Sequence, residues 1–510
     1  MRYLSFLLSG LFILAMLTLS GCGKEATGEK PFIYAVQADA RTLDPQMSTD
    51  TTSGNAVASK VYETLVKIDQ TNKVVPSLAS EWKQIDPLTM EFTLRQGVKF
   101  HDGTDFNGAA VKASLDRLLD PEAKRNRRNM LASIAEVKVI DPYKIQIITK
   151  TPFAPLLLHL THTGASIISP KAMEEDKAGK TPLAQNPVGT GPFKFEKWIK
   201  GEQISYTRFD QYWGEKAKIS KLIFKVVPED TTRIAMVKTG EAQAANLVPV
   251  TEADRLSKDS AFKLIRTPLY RTEFIAFNTE KAPFNNPKVR RAIAEAINFQ
   301  GLISGVYNNS GTAGVSTLGP AVYGYNPNLK PYTYNLENAK KLLAEAGYPN
   351  GFTAKFYVAD RKIRIKLAEV IQAELKPLGI DLKIVVLEQG AFFAASEKGE
   401  HDLCIDGWSN STGDADFCLS PTLTAKGIPT GDNYSRYNNP AVTALLDQAR
   451  EETNSDKRLA LYYQAQEIIR EDAPILTTQV TEDLCVTGKN VEGFWNNAGG
   501  ITIFTNVSVK

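Results

Sequence analysis

The sequence predicts an α/β fold divided between two lobes, and three observations carry that expectation. Apolar runs with a two-residue period alternate along the chain with stretches whose apolar residues recur at helical spacing. No internal repeat or low-complexity segment interrupts the alternation. About 490 residues remain once an N-terminal leader is set aside, too many for one hydrophobic core. The net charge of +3 is made of interspersed charges of both signs with no basic block, which argues against nucleic acid as a partner.

In chain order, MRYLSFLLSGLFILAMLTLSGC comes first. It sets one positive side chain, Arg2, before an apolar run from Leu4 to Leu19 and then small residues, the layout of a secretory signal over 1–21. Leu19-Ser20-Gly21-Cys22 resembles the bacterial lipobox, so Cys22 is expected to carry lipid and residues 22–30 to form a polar tether. No later stretch is apolar enough to span a membrane. PFIYAVQ (Pro31 to Gln37) alternates like a strand. In MEFTLRQGVKFHDG, Phe92, Leu94, Val98 and Phe100 carry the apolar face and Gly97 and Gly103 supply turns. FNGAAVKASLDRLLDP reads as a helix stopped near Pro121.

HLTH sets His159 and His162 three residues apart with no acidic ligand in register, and a helix face near a core is the expected reading. PVGTGPF (Pro187 to Phe193) mimics a phosphate loop. Pro192 removes a donor, however, and FKFEKW behind it alternates like a strand, so a turn into a hairpin is expected.

Asn286, Asn335 and Asn439 each stand where a helix N-cap is wanted, twice with proline at the first helical position. After Asn335, Gly347 suits a left-handed C-terminal position and Pro349 blocks continuation. Ile363 to Glu388 reads as helix, turn at Leu378-Gly379, and strand; helices follow from Asn439 and from Asp456. HDLCID (His401 to Asp406) reads as a strand feeding the loop GWSNSTGDADF. Besides Cys22, the cysteines Cys404, Cys418 and Cys485 are odd in number, so at most two of them pair in an oxidising compartment. No Gly-x-Ser-x-Gly or other nucleophile motif occurs.

Several of these stretches, in one order, resemble the family-5 extracytoplasmic solute-binding proteins of ABC importers for peptides, nickel and glutathione. They are RTLDPQMSTDTTSGNAVASKVYETLVKID, ASEWKQIDPLTMEFTLRQGVKFHDGTDFNGAAVKASLDR, PVGTGPFKFEKW, FNNPKVRRAIAEAIN, LLAEAGYPNGF and the GW loop. The resemblance implies a periplasmic-binding-protein fold of type II, cluster C-like, with hinge crossovers and a ligand cleft between the lobes. Lobe I is expected over 31–270 with an inserted subdomain, lobe II over 271–479, and a return to lobe I over 480–510. Crossings are expected near Leu269 to Glu273 and Thr478 to Glu482. The resemblance further implies a monomer without cofactor, metal or catalytic residues, partnered by a small peptide-like solute, by permease subunits and, through the lipid, by the membrane.

A loop that grips such a solute must satisfy its amides and pair its charged ends, because unpaired buried charge is costly. Gly407 is expected to admit the ligand backbone and Trp408 to form a stiff wall. Ser409, Ser411 and Thr412 are expected to exchange hydrogen bonds, and Asp414 and Asp416 to meet an ammonium group. In dipeptide-binding relatives an aspartate three residues past this tryptophan holds the α-amino group; here Ser411 stands there, and the Ser-x-Ser-Thr-Gly-acid pattern resembles glutathione-binding members instead. A glutathione-like or γ-glutamyl solute is therefore expected, with short peptides and nickel complexes as alternatives and an exported peptide hydrolase as a distant one. Arg271, beside the first crossing, and Arg361, in ADRKIR, are expected to take carboxylates. Thr51 and Thr52, in the opening segment, are expected to face the ligand from lobe I, with Asp50 a further acid there.

Overall fold

The computed structural model describes residues 30–123 and 125–510; the signal segment, Cys22 and the tether up to residue 29 lie outside the described residues. The chain opens on β1 (Phe32–Val36), followed by α1 (Thr51–Val57), whose N-cap Asp50 accepts the backbone N–H of Ser53. An inserted subdomain then builds its own four-stranded antiparallel sheet from β2 (Ala79–Asp86), β3 (Thr89–Leu94), β4 (Ile134–Asp141) and β5 (Lys144–Thr149), in the order β2-β3-β5-β4. Against it packs α2 (Gly108–Leu119), capped by Asn107, and the short α3 (Leu156–His159) follows β5. Phe92, Leu94, Val98 and Phe100 all lie in this subdomain's core, which follows from their alternation. Each buried phenyl there contributes about 2–3 kcal/mol of transfer free energy.

PVGTGPF leads into the hairpin of β6 (Phe193–Ile199) and β7 (Gln203–Arg208). A Cβ on Gly189 would lie 2.2 Å from the Val61 carbonyl oxygen and one on Gly191 2.3 Å from that of Lys60, so both glycines serve a close backbone crossing. The chain continues through β8 (Lys221–Val226), β9 (Ala244–Ala245) and the long β10 (Phe262–Phe277).

The second half contributes α4 (Pro287–Ala296), α5 (Leu336–Glu345), β11 (Thr353–Ala359), α6 (Lys362–Leu375), β12 (Asp381–Leu387) and β13 (Leu403–Ser409). After these come α7 (Asp416–Leu423), α8 (Pro440–Glu451), α9 (Ser455–Asp472) and β14 (Ile475–Gly488). Asn286, Asn335 and Asn439 do cap α4, α5 and α8, each accepting a first-turn N–H. Gly347 and Gly379 adopt the left-handed region, at φ 92° and 72°.

One ten-stranded sheet runs through the molecule in the order β12-β11-β13-β10-β14-β9-β1-β8-β7-β6. Its two long central strands, β10 and β14, pair antiparallel, and their register slips between Pro268 and Thr272, inside the stretch where crossings are expected. On one side of that pair lie the lobe I cores, one of them around Tyr34, Tyr206 and Phe224; on the other lie the lobe II cores around Ile293 and Leu367 and around Phe274 and Tyr462. Residues from the end of the sequence, Phe494, Phe504 and Val507, complete the lobe I core, with Phe504 edge-on to Tyr34 at 5.4 Å. Cys404, Cys418 and Cys485 are all buried free thiols, so no pair forms among them. His159 is buried with Nδ1 2.7 Å from the Met130 carbonyl oxygen, and His162 Nδ1 accepts the Gly164 N–H, as befits a helix end against a core. No described helix is long and apolar enough to cross a membrane.

Candidate functional site: an arginine and tryptophan pocket

In lobe II, β11 pairs with β13 only through Leu403 to Ile405, whereas β10 pairs with β13 as far as Ser409. Past Ile405 the β11 side of β13 is therefore left without a sheet partner. A cavity of about 380 Å³ lies there, lined by Arg271, Glu273, Arg361, Arg364, Asp406, Trp408 and Tyr434 among others.

Four of the charged groups that line this cavity, Arg271, Glu273, Arg364 and Asp406, are paired with one another. Arg364, 5% exposed, reaches Glu273 at 2.9 Å and Asp406 at 2.8 Å. Burial alone would pull its pKa down, but those two carboxylates raise it above its ordinary value. Burial likewise pushes Asp406 up, with Arg364 opposing. Arg271 is held on the other oxygen of Glu273 and donates to Ser409 Oγ at 2.9 Å. Arg361, the exposed residue preceding α6, donates from Nε to the Gln389 side chain at 3.0 Å and has no carboxylate partner among the described residues. A guanidinium in that state can take an incoming carboxylate without breaking an existing pair.

Trp408 is half-buried; its indole N–H donates to the Phe417 carbonyl oxygen at 3.0 Å, which fixes the ring as one wall. The loop behind it is organised from within. Asn410 donates to the Asp414 carbonyl at 2.7 Å and accepts from Gly413 N–H at 3.2 Å. Gly413 is left-handed, and a Cβ there would come within 2.9 Å of the Tyr270 ring.

The match to a family model, Bacterial extracellular solute-binding proteins, family 5 Middle, spans residues 73–430. The glutathione-binding protein GsiB of Salmonella typhi is 35% identical over 479 residues, covering 92% of this chain and 93% of that protein. HbpA2 from Haemophilus parasuis superposes with a TM-score of 0.88 at 32% identity over 94% of this chain and all of the other. DppA from Helicobacter pylori, solved with the peptide STSA, gives 0.77 at 33% identity over 94% and 98%. This chain belongs to family 5 of the bacterial extracellular solute-binding proteins.

Within this solute-binding protein the structure brings only some of the expected ligand residues together. Arg271, Arg361, Gly407 and Trp408 line the lobe II cavity, and Ser409 sits beside it on Arg271. Ser411 Oγ turns back to the Ser409 carbonyl at 3.4 Å. Three expectations need correction. Asp414 is fully buried, with both oxygens on Arg458 Nη2 at 2.8 Å and one also accepting from Tyr462, so it has no oxygen free for an ammonium. Asp416 is buried and held by Arg450 Nε at 2.9 Å and Ser420 Oγ at 3.0 Å. At Gly407 the Cβ position is already filled by Glu273 and Arg271, at 2.5 and 2.6 Å, so strand packing rather than ligand approach requires the glycine.

In lobe I, Asp50 spends its carboxylate on Ser53, and Thr51 is exposed beside Gly500. Thr52 lines a separate small cavity with Asn55 and Phe224, away from Trp408. A larger lobe I cavity of about 520 Å³ is lined by Tyr62, Glu63, Arg95, Thr163 and Trp213. Glu63 there accepts from Thr190, Tyr212 and Trp213, all at 2.8 Å; burial pushes its pKa up while these donors pull it back. Sequence reasoning missed Glu63, Trp213, Arg364 and Asp406. A signal existed for two of them: Asp406 directly precedes Gly407, and Arg364 lies three residues, about one helical turn, after Arg361.

Proposed function

We infer that this protein captures a small, carboxylate-bearing, peptide-like solute between its lobes and hands it unaltered to the permease of an ABC importer. The observation that carries the reading is Arg361, a guanidinium without a carboxylate partner, on the same cavity as the fixed Trp408 indole and the free side of β13. An extended ligand can add its backbone to that strand while Arg361 takes its carboxylate. The glutathione-binding relatives, 35% identical, favour glutathione or another γ-glutamyl solute. DppA, at 33% and solved with a peptide, favours a short peptide as the second reading. Lobe boundaries at 270 and 479, a monomeric state, and a lipid anchor at Cys22 belong to the same proposal.

The decisive measurement is thermal-shift and calorimetric titration of ligand-stripped protein with glutathione, dipeptides of varied side chain, and a nickel–histidine complex. A ligand of the native state raises the melting point by mass action, about 2.7 kcal/mol at a hundredfold excess over Kd. Stabilisation by glutathione, recovered intact afterwards, is the expected result. Stabilisation by dipeptides alone selects the second reading. Release into the medium of a Cys22→Ala variant, with loss of lipid mass from the N-terminal peptide, tests the anchor.

A further inference from the structure

The inserted subdomain meets lobe II beside the end of α8. The backbone N–H of Ala154, just before α3, donates to the Arg450 carbonyl oxygen at 2.8 Å. Arg450 lies in the last turn of α8, where carbonyls have no partner within their own helix, so a residue of the other lobe caps a helix end. Beside it the His159 ring meets Phe417 edge-to-face, with centroids 5.9 Å apart, and is backed by Phe153 at 5.0 Å. His159 is fixed by its Nδ1 contact to Met130, which holds the ring in place at this seam.

Phe417 belongs to both sides of this arrangement. Its ring forms the seam, and its carbonyl oxygen holds the Trp408 indole N–H at 3.0 Å. Its neighbour Asp416 is tied to Arg450, the residue whose carbonyl the subdomain caps. The geometry points to Phe417 as a positioning residue: it couples the Trp408 wall of the solute pocket to a closure latch formed by Ala154, His159 and Arg450. Solute that settles against Trp408 then favours the arrangement of Asp416-Phe417 that the subdomain grips, and gripping in turn holds the wall in place. Such coupling is reciprocal. The inference rests on the reading that solute is captured between the lobes, but the latch itself is measurable without solute.

The test is amide hydrogen exchange at Ala154 in the purified protein, with and without glutathione as probe, in wild type, Phe417→Ala and Phe417→Tyr. Loss of one edge-to-face pair corresponds to about a fivefold effect. Ala154 in Phe417→Ala should therefore exchange about fivefold faster, and glutathione should bind about fivefold more weakly, with both restored in Phe417→Tyr. Core amides such as Ile147 should be unchanged, which separates latch opening from general destabilisation. Phe417→Leu replaces the alanine variant if that protein does not fold. Equal Ala154 exchange in wild type and Phe417→Ala overturns the proposal, as does free exchange at Ala154 in the wild type with and without glutathione. A protected Ala154 amide that Phe417→Ala exposes, in a protein that binds no glutathione, leaves the latch standing and removes the solute assignment instead.

Discussion

Arg361 and Asp414 mark the two uses of charge around the GW loop. With no carboxylate on Arg361, Arg361→Gln should weaken binding of glutathione by about 10- to 100-fold, as loss of a charged hydrogen-bonded pair does. Because the residue is exposed, the melting point of the free protein should not move; calorimetry and a thermal scan check the two halves. Asp414 is the opposite case. Asp414→Asn strands the buried Arg458 guanidinium and should cost about 3–5 kcal/mol of stability, read by denaturant unfolding. A carboxylate in a polar loop beside a tryptophan was legible in the sequence; its commitment was not, because Arg458 lies 44 residues away on α9 and leaves no local trace.

At the scale of elements, local chemistry was readable wherever a short-range hydrogen bond decides the outcome. Asparagines cap α4, α5 and α8, and Gly347 and Gly379 take positive φ because only contacts within a few residues are involved. Asn335→Ala should accordingly cost about 1 kcal/mol, read by denaturant unfolding and as a melting point about one degree lower by calorimetry. The glycines of PVGTGPF suggest a turn, but their structural reason is longer in range: Gly191 packs on the Lys60 carbonyl. Gly191→Ala should therefore destabilise by more than the Asn335 cap does, since a backbone atom cannot move aside as a side chain can. Strand order was hidden for a related reason. The two-residue β9 sits at the centre of the sheet, between β1 and β14, although its sequence is only Ala244-Ala245.

For the whole molecule, buried histidines contribute to the loss of stability in acid. Burial lowers His401 to about 4, with Tyr434 opposing through its carbonyl, and burial lowers His101 to about 4. A histidine whose folded pKa is depressed supplies stability that is complete above its unfolded value near 6.5 and is lost as pH falls toward 4. Each contributes up to about 1.4 kcal/mol per pH unit across that window, so His401→Gln should flatten the decline between pH 6.5 and 4 relative to wild type in unfolding measurements. The two-lobe plan was legible from length and alternation, while the return of the last residues to lobe I was legible only through the family resemblance, because no local pattern links Phe494 or Phe504 to Tyr34. Tyr34, in the first strand, is roofed by Phe494 and Phe504, so the half synthesised earliest is the half finished last. A chain emerging from the ribosome thus keeps its leading portion incomplete until nearly everything else has been made.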